Sequence, residues 1–257
     1  LRAVWGLGNA FFIATALSVI VGAAAGGQAG AILLYEAALG VGLAVGPLLG
    51  AALGTISWRG PFAGTAVLMA IGVILCTAML AKDKDKSARQ KIRLIDPILA
   101  LRNRNLLMTS LGSAFYTAAF FSIIAWSPFV LEEGAFFVGF VFFGWGLCVA
   151  VSSVVLAPKV AGWFGERGGA VLTVLIYALV LLGMAAGNKT VVVIGIVVSG
   201  IFSGILNTLF TGTAMSSGTG PRAVNSAGYN FLRWFGGAVS AILVGHIAQW
   251  LGMRAPF

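Results

Sequence analysis

Charge is what this chain has least of. Of its 257 residues 9% are charged, seven are acidic and one is a histidine. A soluble domain of this length could not cover its surface with so few charges, so lipid is the solvent for most of it. The scarcity of ionisable groups also removes most catalytic chemistry. There is no HExxH pattern, no pair of aspartates on facing apolar segments and no nucleophile motif, so an enzyme is disfavoured and no cofactor or metal is expected. Cys76 and Cys148 both lie in apolar runs, where a free cysteine behaves as a small hydrophobe. They imply neither a disulfide framework nor a metal site.

What is abundant is apolar. Hydrophobic residues make up 60% of the chain, and mean hydropathy is +1.02. Eight stretches reach the roughly 20 residues that a bilayer crossing requires. They are Ala3–Ala24, Ile32–Gly54, Pro61–Ala81, Leu106–Leu131, Ala135–Leu156, Ala170–Ala186, Val191–Ala214 and Ala223–Leu251. Most of the links between them hold Gly, Pro, Ser or charges, as turns do.

The net charge of +9 is not spread evenly. Lys82, Lys84, Lys86, Arg89, Lys91, Arg93, Arg102 and Arg104 are half of the 16 basic residues and lie in one interhelical stretch. That is the signature of a cytoplasmic loop rather than of a nucleic-acid surface. With this loop inside, Lys159, Arg167 and Arg222 also fall inside, while Arg59, Lys189, Arg254, Glu132 and Glu133 fall outside. The expected molecule is an all-α polytopic helical bundle in a membrane. Leu1 opens within helical material and Met253–Phe257 follows the last span without a return, so a fragment of a longer chain is expected.

Residues 42–54, reading GLAVGPLLGAALG, carry the most specific pattern. So many glycines and a proline would weaken a helix in water, but in lipid glycine lets helices approach closely. The helix around them has a partial echo in the last span: Tyr35-Glu36 falls on Tyr229-Asn230, Gly42 on Gly236, Ala44-Val45 on Ala238-Val239 and Leu49 on Leu243. Parallel repeats of six-helix halves characterise one large transporter architecture.

Several motifs together resemble that family, the major facilitator superfamily, in its twelve-span drug:proton antiporter branch. Arg2-Ala-Val-Trp-Gly6-Leu-Gly8 is similar to the RxxxGxG pattern of the family's fourth helix. Gly42-Leu-Ala-Val-Gly46-Pro47-Leu-Leu-Gly50-Ala51 is similar to the antiporter pattern GxxxGPxxGG of the fifth, with Ala51 in place of the last glycine. Ser57–Phe62 resembles the short external turn that follows, and Ala227–Gly237 the start of the eleventh helix. Val160–Arg167 is a degenerate echo of the family's cytoplasmic GxxxDRxGRR loop, without the aspartate.

The resemblance implies an incomplete major facilitator fold. Residues 1–81 would be the last three helices of the N-terminal bundle, 82–104 a cytoplasmic basic linker, and 105–257 a C-terminal bundle without its last helix. It implies secondary active efflux of a small amphipathic compound or drug, exchanged for protons across the plasma membrane, as in a bacterial inner membrane. Its partners would be that small molecule, protons, the lipid bilayer and the remaining helices of the full-length chain. Alternatives are a truncated non-transporting relic, a structural membrane subunit, or a symporter for uptake.

Candidate residues follow from the expense of burying ionisable groups in a membrane. Arg2 matches a family arginine that influences proton transfer to a carboxylate elsewhere. Glu36, about one turn into the second span, is either a titrating carboxylate or the structural partner of an arginine near the cytoplasmic face. Tyr229, Asn230 and Arg233, three and four residues apart, are expected on one helix face, as a substrate or coupling cluster or as an interhelical hydrogen-bond knot. His246 is a weaker proton candidate. Tyr116, Phe120, Phe121 and Trp126 line a pocket or face lipid. Gly42, Gly46, Pro47 and Gly50 have a mechanical role: a smooth, bent face sealing a seam against a neighbouring helix of the same bundle.

Overall fold

The computed structural model describes residues 2–23, 28–79, 93, 95–217 and 220–257. Most of the basic stretch, residues 80–92 and 94, lies outside the described residues, as does the side chain of Arg2. Among the described residues there is no strand. The helices are α1 (Arg2–Ala23), α2 (Gln28–Ile56), α3 (Gly60–Met79), α4 (Asp96–Ala100), α5 (Arg104–Leu131), α6 (Ala135–Val151), α7 (Ala157–Ala186), α8 (Lys189–Ser217) and α9 (Arg222–Leu251). Among the described residues, six helical runs are long and apolar enough to cross a membrane.

One of those runs, Ala135–Ala186, is 52 residues long and contains two expected crossings. α6 passes through a π-helical turn at Ser152–Leu156 into α7 without leaving helical geometry. The reversal comes inside α7, at Gly165, where φ is +69° and ψ 163°. A side chain at Gly169 would lie 2.7 Å from Val160 Cγ1. In a straight helix those residues would be about 13 Å apart along the axis, so the chain folds back on itself there. The loop expected between the fifth and sixth spans is therefore mostly helix, broken at one glycine that tolerates positive φ.

The sequence-based linker also contains structure. α4 starts with Pro97 in its first turn, and Asp96 Oδ2 accepts from the Arg93 amide at 2.7 Å. A side chain at Gly228 of α9 would lie 2.6 Å from Pro97 O, so α4 is seated directly on α9.

The core lies among α5, α6, α7, α8 and α9, with α2 laid along α6 and α8. Fully buried Trp145, Leu106, Ile123, Met184, Ile196 and Leu206 fill it. Glycine makes the close approaches possible. A side chain at Gly146 of α6 would fall on the backbone of Ala44 of α2, and one at Gly40 would lie 2.6 Å from the backbone of Ala150. The α2–α6 seam is therefore made by Gly40, Ala44, Ala51, Gly139, Gly146 and Ala150. Most large exposed side chains on α3, α7 and α9, such as Val67, Leu179 and Ile242, are apolar, as lipid-facing surfaces are.

Candidate functional site

The polar groups of this apolar chain converge on one place. α8 carries Ser199, Ser203, Asn207 and Thr211 at intervals of four, all buried. Residues four apart on a helix share a face, so this stripe runs down the middle of the bundle. Two short networks branch from its lower half.

In the first, Thr211 Oγ1 donates to Glu36 Oε1 at 2.9 Å. Tyr229 OH lies 3.4 Å from Thr211 Oγ1, and Ser113 Oγ donates to Tyr229 OH at 3.1 Å. With the Thr211 proton committed to Glu36, Tyr229 donates to Thr211. The hydroxyls of α5, α9 and α8 thus all point their hydrogens towards one carboxylate on α2. In the second network, Asn207 Oδ1 accepts from Tyr116 OH at 3.0 Å and from Arg233 Nη2 at 2.5 Å. The Tyr116 hydroxyl is shared with the backbone oxygen of Ser203 at 3.2 Å. Arg233 stands over the Tyr229 ring at 5.8 Å, which joins the two networks through a cation–π contact.

Glu36 is 0% exposed. It is deeper than the shallow site expected, and its direct hydrogen bond is to a hydroxyl rather than to an arginine. Among the described residues no basic nitrogen lies within 4.0 Å of its carboxylate; the ion pair present is Lys189–Glu133, far off at an exposed helix end. The helix starts earlier than the hydropathy pattern suggested, at Gln28, which sets Glu36 two turns in, where Thr211 of α8 meets it. Its Oε2 is buried without a partner, as is Arg233 Nε. Thr211–Glu36 is also the sole side-chain hydrogen bond between α1–α3 and α5–α9 among the described residues.

The expected cluster on the last span divides. Tyr229 and Arg233 both enter the buried networks. Asn230 does not share their face: its Nδ2 donates to Ser226 Oγ at 3.4 Å, and it borders a cavity between α9 and α1. Arg2 opens α1, and its side chain lies outside the described residues. Gly42, Gly46 and Gly50 have nothing within 4 Å of an added Cβ, so the seam expected on their face is not formed with any described helix; only Pro47, through its carbonyl oxygen 3.4 Å from the Cβ position of Gly139, touches α6. His246 is exposed, beside Trp250. Tyr116 and Phe120 are buried rather than lipid-facing, while Trp126 donates to Met253 O at 2.6 Å. Asn207 and Thr211 were not singled out from sequence, although the period-four polar stripe of α8 was there to be read.

Comparison with family models says what kind of membrane protein these helices belong to. Residues 1–241 match the model for the Major Facilitator Superfamily. The chain belongs to the Major Facilitator Superfamily. This superfamily member is 41% identical, over 258 aligned residues, to the multidrug efflux protein YfmO of Bacillus subtilis (strain 168). The alignment takes in all of this chain and 65% of that protein, so the chain spans just under two-thirds of its relative's length. No solved structure matches it significantly. As a member of this superfamily it is an all-helical integral membrane protein with an incomplete major facilitator fold.

Proposed function

We propose that the chain forms the larger part of a secondary active exporter that moves a small amphipathic compound out across the plasma membrane in exchange for protons. The observation that carries this reading is Glu36: an acid with no exposure, held by one neutral hydroxyl, at the sole side-chain hydrogen bond between α1–α3 and α5–α9 among the described residues. Burying such a group is costly and is usually retained for a function. When the bundles part, the Thr211 bond breaks and the carboxyl meets water, so binding and release of its proton are tied to the conformational change. Arg233 and Tyr229 of α9, Tyr116 of α5 and Tyr35 beside it on α2 are the charged and titratable groups that set its surroundings. Arg2 is assigned a supporting part in proton transfer on the strength of the RxxxGxG resemblance. The name of the Bacillus relative supports multidrug efflux, and family membership supports transport rather than catalysis.

The test uses the full-length chain in proteoliposomes with an imposed pH gradient. Glu36→Gln keeps an oxygen to accept from Thr211 but cannot exchange a proton. The expected outcome is loss of gradient-driven accumulation by at least about tenfold, with downhill substrate exchange retained. Undiminished gradient-driven transport in that variant would remove Glu36 from the coupling mechanism.

A further inference from the structure

We infer that the cavity between α1 and α9 is a subsite for an uncharged, planar aromatic compound that carries a carbonyl or amide. That this compound is cargo rests on the efflux reading above; that it binds here does not. The cavity is a half-open groove of about 460 Å³, within the size range of small-molecule sites. Asn9 reaches it from α1, and Asn230, Phe231, Trp234 and Phe235 from α9. Among the described residues none of its walls is charged, so an ionic ligand would enter without a partner, whereas a neutral one would not.

The two amides define the polar requirement. Asn9 makes no side-chain hydrogen bond among the described residues, and Asn230 uses only its Nδ2, in a long bond to Ser226. Donors and acceptors from opposite bundles therefore face a mostly apolar space with capacity left over. The walls suit a flat ring. Trp234 is fixed between the Arg233 guanidinium at 5.5 Å and the edge of Phe121 at 5.8 Å, and Phe231 and Phe235 stack at 6.1 Å. Gly6 on the facing helix leaves its side of the slot clear, with nothing within 4 Å of an added Cβ. Because the site takes one amide from each bundle, rocking of the bundles would take it apart.

The probes are acridone, a neutral tricyclic ring system with a carbonyl and an N–H, and N-methylacridinium, its cationic counterpart. Binding is measured by equilibrium dialysis on the full-length chain in lipid nanodiscs. Acridone is expected to bind saturably and at least about tenfold more tightly than the cation. Asn9→Leu and Asn230→Leu should each weaken it by roughly three- to tenfold, the worth of one hydrogen bond. Asn9→Ala, at a half-exposed position, provides the same reading should Asn230→Leu fail to fold. Equal acridone affinity in all variants, or preference for the cation, overturns the proposal. So does absence of saturable binding by either probe, which would mean that another part of the full-length chain covers the groove. Acridone that binds with the expected sensitivity but is not exported would leave the subsite and remove the efflux reading. Export that ignores both asparagine variants would do the reverse.

Discussion

The two faces of α2 are both rich in small residues and behave in opposite ways. One face, Gly40, Ala44 and Ala51, is closed against α6 so tightly that a methyl group at Gly40 would strike the backbone of Ala150. The other, Gly42, Gly46 and Gly50, has open space on it. The conspicuous glycine motif is thus not the one that holds α2 against α6. The contact is made by the less conspicuous series spaced four and seven residues apart, which mixes alanine with glycine. Where a helix is small on two sides, composition reveals that it packs closely but not in which direction.

The comparison breaks most decisively at Gly146. Gly146→Leu must displace the Ala44 backbone, an overpacking that costs about 1–3 kcal/mol or more. The expected result is loss of monodisperse protein in size-exclusion chromatography; a normal peak would mean that the α2–α6 seam does not hold the fold together. Gly46→Leu tests the open face. It should leave membrane insertion and thermal melting unchanged while abolishing substrate efflux, because that face is assigned to movement rather than to assembly. Normal efflux would remove the motif from the mechanism.

Thr211→Val sharpens the closed face at its polar end. It leaves the buried Glu36 carboxyl without its hydroxyl donor, a loss of about 1–3 kcal/mol, seen as a lower melting temperature; Thr211→Ser should restore it. The smallest effect is expected far from α2. Lys189→Met removes an exposed ion pair with Glu133 and should change stability by less than about 1 kcal/mol. A larger loss there would shift weight from the seam to the outer rim.

Much of the fold is legible because lipid imposes a coarse rule: apolar runs of one length, separated by charge and turn residues. Glu36 and Arg233 stand out for the same reason, as ionisable groups within such runs. What escapes is direction. Asn230 follows Tyr229 by one residue, about 100° around the helix, and so faces α1 instead of the core network. Asn207 and Thr211 escape because neutral polar side chains are common in membrane helices; only their spacing with Ser199 and Ser203 marks them. The depth of Glu36 depends on where α2 begins, and Gln28–Gly30 is too weakly apolar for hydropathy to include it. The fold-back at Gly165 is hidden because α6 and α7 remain helical on both sides of it.

That fold-back limits how the C-terminal half can move. Two crossings joined by a flexible loop can slide past each other along the membrane normal. Here the reversal is confined to one residue, and Val160 and Gly169 are pressed together on either side of it. A vertical shift of one arm is transmitted at once to the other, so α6 and α7 travel as a single hairpin. On the proposed mechanism, the rocking that exposes Glu36 would have to carry the hairpin whole, with α2 moving against it at the seam.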